Sequence, residues 1–421
     1  MRGTRRGGSP HIPKTFKIEI SDRHVKARII AAVIFLVISA VSLGYGVSVL
    51  TGTDKGWQFI SFSGDGSEYA ASFALTYELG VTDKSARNEN REIRRIYSEA
   101  CLKAGRAFDA YVVSPGNIRA LNEAPNEVMV LDSVLYDALA LLEQYGNRTV
   151  YLGPAFRFYE NVFSCTEDWQ LEDFDPESNE ELGALFDRIA AYARDPDSVR
   201  VELLGENRAR LHVSEEYQAF LAYEELGGAL DFGWMKNAFI TDYIADSLTS
   251  AGYTRGSVAS YDGYTRNMDD GSGTMYSLNI FDCMDGAAAV VARLDYQGAM
   301  TFVSYRDFPI SAMDSQRIYV TADGERKTLY LSLEDGLPCA AADSLTVYSD
   351  TLGCAETMLL SMPVFQQEKI SVDDLTYLTD CGGLAVLAGD RKLFVTDSKV
   401  VLNSLYDGYE VEYTGSGTVP E

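Results

Sequence analysis

Apolar and polar positions recur along this chain with two different periods, and the two periods occupy different stretches. Residues 70–80 (AASFALTYELG) alternate at period two and predict a strand. From 86 to 108 the spacing turns helical, with Ile93, Ile96, Tyr97, Ala100, Cys101, Ala104 and Phe108 on one stripe. Leu131, Val134, Leu135, Ala138, Leu139 and Leu142 mark a second helix over 131–145, and Leu182, Leu185, Ile189 and Tyr192 a third. The acidic stretch 166–181 breaks the pattern and reads as a surface loop. VRVELLGENRARLHV at 199–213 predicts a hairpin turning near Gly205-Glu206-Asn207. A helix then opens around Lys236, carries Phe239, Ile240, Tyr243, Ile244 and Leu248 on one stripe, and closes at Gly252. Strands dominate afterwards, at 256–261, 275–284, 287–296 and 299–305, with a hairpin at 317–333 turning at Asp323-Gly324. A helix near 352–362 and a set of short strands over 370–413 complete the chain. This order predicts an α+β fold of antiparallel sheets with packed helices, not a doubly wound parallel sheet.

One segment obeys neither period. Residues 29–50 (IIAAVIFLVISAVSLGYGVSVL) carry no charge and would cover roughly 30 Å as a helix, enough to cross a bilayer. Arg2, Arg5, Arg6, Lys14, Lys17, Arg23, Lys26 and Arg28 precede it, so the basic tail 1–28 is expected in the cytoplasm and the remainder outside the cell membrane. No small-residue cleavage pattern stands out, which favours a retained single-pass anchor. The outer part is expected to comprise one domain over 57–366, with 367–421 supplying strands that complete it and a flexible tail.

Composition narrows the chemistry. The 421 residues are 46% apolar and 23% charged, as in ordinary globular proteins, and the net charge of −26 argues against a nucleic-acid partner. The same charge repels anionic nucleotides unless a metal or a local basic pocket intervenes. Six cysteines contain no C-x-x-C pair, so neither a zinc site nor a thioredoxin-type site is indicated. Of three histidines, His11 and His24 precede the apolar segment and His212 sits in the hairpin, which leaves a serine–histidine–aspartate hydrolase poorly supported.

The richest stretch is LDFGWMKNAFITDYIADSLTSAG at 230–252. A glycine turn feeding a helix start, with a lysine beside it, suits a phosphate group. This segment resembles the D-x-G-G-x-A-K-G-x-x-x-D loop of the FAD:protein FMN transferases, the ApbE-like family. Asp231, Gly233 and Asp242 fall on that frame, Lys236 stands one residue early, Asn237 takes the lysine position, and Trp234 and Ala238 replace glycines. Further matches follow in order: Arg119 and Asn122 end a segment corresponding to a serine-rich stretch, Gly146 and Pro154 persist from another motif, and DSLTVYSDTLGCAETMLLSM at 343–362 is similar to a strand and an A-D-A-L-A-T helix.

The resemblance implies a fold and an activity, the transfer of FMN from FAD to a threonine or serine of a flavoprotein with Mg2+ as cofactor. It implies nucleotide contacts at Asn122, Gly233, Lys236 and Asp242, and metal ligands at Glu356, on the family's aspartate, and Ser361, one residue out of register with its threonine. It names no catalytic residue. Several motifs are eroded: Leu329 stands where the family has histidine, Leu360 where it has the metal-binding threonine, and SYDGY at 260–264 replaces N-x-G-G-D. The Trp234 indole is expected to crowd the phosphate site. Two readings follow, a weakened transferase, or a non-catalytic flavin-binding or scaffold partner of membrane machinery; an unrelated exported α+β domain is a third.

Overall fold

A computed structural model describes residues 54–269, 271–397, 399–402 and 408–413. Strands β1 (Gly56–Ile60) and β2 (Phe73–Leu79) lead into α1 (Ala86–Ala107), α2 (Ile118–Glu123), β3 (Val128–Val130), α3 (Ser133–Gln144), α4 (Gly153–Tyr159) and α5 (Glu180–Arg194). The hairpin β4 (Val199–Leu203) and β5 (Arg208–Val213) precedes α6 (Glu215–Tyr223) and α7 (Lys236–Ser250). Then come β6 (Gly256–Ser260), β7 (Tyr264–Asn267), β8 (Met275–Met284), β9 (Ala287–Gln297), β10 (Met300–Arg306), β11 (Ile318–Val320), β12 (Arg326–Thr328) and β13 (Ser344–Ser349). The chain continues through α8 (Cys354–Phe365), α9 (Val372–Asp380), β14 (Leu384–Gly389), β15 (Lys392–Val395), β16 (Val400–Leu402) and β17 (Glu410–Tyr413).

One sheet organises all of this. Its nine strands run β1-β2-β6-β7-β10-β13-β14-β15-β17, antiparallel at every junction except β15–β17. Alternation along each strand sends side chains to two different cores. Tyr77, Val258, Tyr264, Val303, Tyr305 and Val347 belong to the main core, together with apolar residues of α1, α7 and α8. Phe302, Tyr348, Val386 and Leu393 face the other way and are covered by Ile280, Val291 and Leu294 of the β8–β9 hairpin. The strip that positions the site is the turn between β6 and β7, where Gly263 has φ +110° and a side-chain carbon would meet the Ser304 carbonyl oxygen at 2.2 Å.

The predicted α+β architecture with antiparallel sheets is what forms. Leu131, Val134, Leu135, Ala138, Leu139 and Leu142 are all buried, and so are Phe239, Ile240, Ile244 and Leu248 of α7. Several elements differ from expectation, among them the short β1, α2, β3 and α4, which no periodicity marked. Residues 372–380, expected among strands, form α9, because Ser371 and Asp374 cap its start reciprocally and Leu375 and Leu378 bury one face. Helix α6 is likewise unpredicted: the Ser214 hydroxyl accepts from the Tyr217 N–H, and Tyr217, Phe220 and Leu221 turn inward. Strand β7 is also new, and the 317–333 hairpin is ordered as strands over only three residues on each side. The acidic 166–181 stretch is pinned rather than loose. Asp168 accepts from the Tyr319 hydroxyl and the Ala322 N–H, both at 2.8 Å, while buried Lys327 binds Asp175 (3.1 Å) and Glu177 (2.8 Å).

Strands β14, β15 and β17 extend the nine-stranded sheet. None of the six cysteines is disulfide-bonded. The apolar segment at 29–50 lies outside the described residues, and among the described residues no helix is long and apolar enough to cross a membrane.

Candidate functional site

Residues 230–237 are held in place from both sides. The Asn122 amide donates to the Leu230 carbonyl (2.7 Å) and its oxygen accepts the Leu230 N–H (3.0 Å), so this side chain acts as a strand partner for the approaching backbone. Asp231, 5% exposed, accepts the Gly233 N–H at 2.9 Å and pairs with Arg157 at 3.5 Å. Burial raises the proton affinity of Asp231, and the charges of Lys236 and Arg157 oppose that rise. Gly233 then turns the chain at φ +52°, with a ring carbon of Phe156 only 3.0 Å from where its Cβ would stand. A single turn of 3-10 helix, Gly233–Met235, feeds α7, whose start has no side-chain cap. The half-buried Lys236 makes no hydrogen bond or ion pair among the described residues.

This corner opens onto a cleft of about 380 Å³, at the small end of the range for ligand sites. Phe156, Tyr159, Glu160, Phe163, Tyr261, Asp262 and Arg317 line it together with Gly233, Lys236 and Asn237. Trp234 does not fill the phosphate corner as expected. Its indole is 8% exposed and lies edge-on to Tyr330 (5.0 Å between centroids) and Tyr305 (6.2 Å), so its bulk is absorbed by the main core. The Tyr159 hydroxyl and the Trp234 Nε1, on two residues lining the cleft, are buried with no hydrogen-bond partner. Buried polar atoms are seldom left so, and a ligand can satisfy them.

Asp262 is the titrating group of the cleft. Burial pushes its carboxyl up to about 6, against the pull of Arg317, the Asn237 amide and Lys236. Asn237 donates to it at 2.7 Å, and Ser260 donates as well. Reasoning from the sequence missed Asp262, Asn237 and Arg317 as cleft residues. Asn237 stands on the family's lysine position and Asp262 within the SYDGY stretch matched to a family motif, but neither was named as a site residue, and nothing pointed to Arg317.

The other expected site residues lie elsewhere. Both oxygens of Asp242 are taken by the start of α8, Oδ1 by the Cys354 N–H and Oδ2 by the Ala355 N–H, each at 2.8 Å, and Arg266 adds an ion pair at 2.8 Å. Asp242 therefore caps a neighbouring helix instead of facing the cleft. Gly353 makes this possible, since a Cβ there would stand 2.7 Å from an Asp242 oxygen. Glu356 folds back to accept the Gly353 N–H at 3.1 Å. Ser361 is wholly buried, donating to the Thr357 carbonyl (2.6 Å) and lying 3.0 Å from the Tyr305 hydroxyl. Neither Glu356 nor Ser361 lines the cleft, and no cluster of three or more histidine, cysteine or acidic side chains suited to a metal exists among the described residues. These donors do not fit a magnesium ion.

No protein-family model and no curated protein sequence matches the chain. Solved structures do match it. An ApbE protein from Thermotoga maritima aligns with a TM-score of 0.55 over 84% of this chain and 99% of that one, at 13% identity. The flavin transferase ApbE from Vibrio cholerae aligns at 0.51 over 85% and 100%, at 12% identity. The chain has the ApbE-like flavin transferase fold.

The Asp242 clamp sets a stability expectation. Asp242→Ala leaves two helix N–H groups uncapped and Arg266 with only its ion pair to Asp246, and should lower unfolding stability by about 2–4 kcal/mol. Urea denaturation followed by circular dichroism measures it, and a loss under about 0.5 kcal/mol would contradict the clamp.

Proposed function

We propose that this chain is a flavin-nucleotide-binding protein on an ApbE-like scaffold, anchored to the outer face of the cell membrane by residues 29–50, without the family's magnesium-dependent transfer. The observation that carries the reading is a contrast. The corner at 233–237 keeps an unpaired lysine facing an open cleft, while Glu356 and Ser361, the candidate metal donors, are committed to helix α8 and the core.

FAD suits the cleft in three respects. Lys236 and Arg317 place positive charge against a phosphate in a chain that is otherwise strongly acidic. Helix α7 begins without a side-chain cap, and the positive end of its dipole favours the same group. Phe156, Tyr159 and Phe163 present aromatic surface to a flat ring system, with unpaired donors at Tyr159 and Trp234 beside it. When bound, FAD would supply a pyrophosphate link and a redox-active ring. The chain's own residues bind and orient it, and its partner is expected to be a flavoprotein or other membrane machinery at the same surface.

The full-length protein in detergent micelles should quench FAD fluorescence on binding, and Lys236→Ala should weaken that binding about tenfold or more. With FAD and Mg2+ present, no AMP should appear. AMP release together with FMN on a serine or threonine of another protein would establish the transferase reading instead, and absence of any flavin binding would overturn both.

Binding should also depend on pH through Asp262. Its carboxyl is neutral below about 6 and charged above, so FAD, whose pyrophosphate charge is constant there, should bind more tightly at about pH 5 than at about pH 7.5. Asp262→Asn should flatten that profile; an unchanged slope in the variant would show that another group is responsible.

A further inference from the structure

Strand β1 is an open sheet edge that carries large aromatic side chains into solvent. It has a partner, β2, on one side only, so half of its backbone N–H and C=O groups look outward. Alternation sends Ile60 into the main core and Trp57 and Phe59 to the opposite face, where they are 44% and 60% exposed. The Trp57 ring rests edge-on against Tyr276 of β8, with 6.0 Å between centroids, which steadies its position. Their cross-strand partners add no net charge. Phe59 stands opposite Thr76, and Trp57 opposite Glu78, which is paired with Arg255. Ala74 of β2 and Ala259 of β6 stand opposite each other further along the same face, both only partly covered. An aromatic edge of this kind, left in water, invites association.

Where the strand begins decides what covers it. The apolar segment ends at Leu50, and only residues 51–53 separate it from Asp54. Even with the chain fully extended, Trp57 stands no farther than roughly 25 Å from the end of that segment. The interfacial layer on each side of a bilayer is about 5–8 Å thick. Tryptophan favours that layer, because its ring is apolar and its N–H polar. The open backbone of β1 sets the depth. Unpaired N–H and C=O groups are costly in hydrocarbon and are satisfied among headgroups, so the strand belongs in the interface and not below it. Lys55, exposed just before the strand, has the length to reach a lipid phosphate.

We propose that the β1 edge is a lipid-contact surface, with Trp57 and Phe59 seated in the headgroup layer of the membrane's outer leaflet. The domain then stands on that edge in a fixed orientation to the bilayer. Ala71 and Ser72, which lead into β2, line the cleft, so the same contact fixes how the cleft faces a membrane partner. The tether rests on the anchored reading; the aromatic edge itself does not.

The test uses the full-length protein in phosphatidylcholine vesicles, with bromine on the upper acyl chain of the lipid as a contact quencher of tryptophan. The three tryptophans are Trp57, Trp169 and Trp234, and residues 29–50 contain none, so the anchor adds no signal. Brominated lipid should quench the emission. Trp57→Phe should remove most of that quenching, and Trp169→Phe should leave it. Phe59→Trp placed in the Trp57→Phe protein should restore it, with circular dichroism equal in all forms, which excludes misfolding as the cause of the loss. Quenching that Trp57→Phe leaves unchanged would overturn the lipid surface. So would an absence of quenching in protein that stays on the vesicles through an alkaline wash, a result that leaves the anchor standing. Protein that the wash strips off, yet is quenched through Trp57 when returned to vesicles, would sink the anchor and retain the surface. Stripped protein that is not quenched would overturn both. Sedimentation tests the rival occupant: an unquenched Trp57 in a dimer that Phe59→Ser splits into monomers would assign the edge to a second copy and end the lipid proposal.

Discussion

A single carboxylate joins the two helices on which the site's geometry depends. Asp242 lies on α7, the helix that begins at Lys236, and it caps α8, the helix that carries Glu356 and Ser361. Glycine at 353 has no side chain with which to cap its own helix, and it is also the residue that lets Asp242 approach. Arg266 on β7 closes the triangle, tying both helices to the sheet. Once α7 is anchored at that point, its first turn projects Lys236 and Asn237 into the cleft. The same anchoring turns a residue that the family resemblance assigns to a ligand into a structural one.

The electrostatics follow a consistent scheme. In a chain of net charge −26, two cations, Lys236 and Arg317, gather at the cleft. At the cleft Lys236 and Arg317 stand beside Glu160 and Asp262, with Arg317 also paired to the buried Asp314, and burial pushes the Asp262 carboxyl up to about 6. An acidic protein can hold an anionic ligand only where cations are gathered locally in this way. The pinned 166–181 stretch and the β11–β12 hairpin, joined through Asp168 and Lys327, steady the segments from which Phe163 and Arg317 reach the cleft.

Much of the helical layer was legible from periodicity. The stripes of α1, α3 and α7 bury as their spacing requires, because a helix with one apolar face has one way to hide it. Helices α6 and α9 were missed although their signals are present, Ser214 before two glutamates and the reciprocal Ser371–Asp374 cap. Short apolar runs flanked by polar residues suit strand and helix alike, and there the cap decides. Strand β7 escaped notice because it is four residues long and starts immediately after a glycine turn.

For the site, the letters alone determined that residues 233–236 form a glycine turn into a helix start with a lysine beside it, since backbone freedom and helix polarity are local properties. What that turn faces was decided by tertiary structure. Asp262 and Arg317 reach Lys236 from 26 and 81 positions further along the chain, through strand order and a 3-10 turn that no local pattern encodes. Asp242, Glu356 and Ser361 had side chains suited to a ligand, but the carboxylates went to open helix N–H groups and the hydroxyl into the core. Residue type sets which bonds a side chain can make; packing sets which partner is within reach.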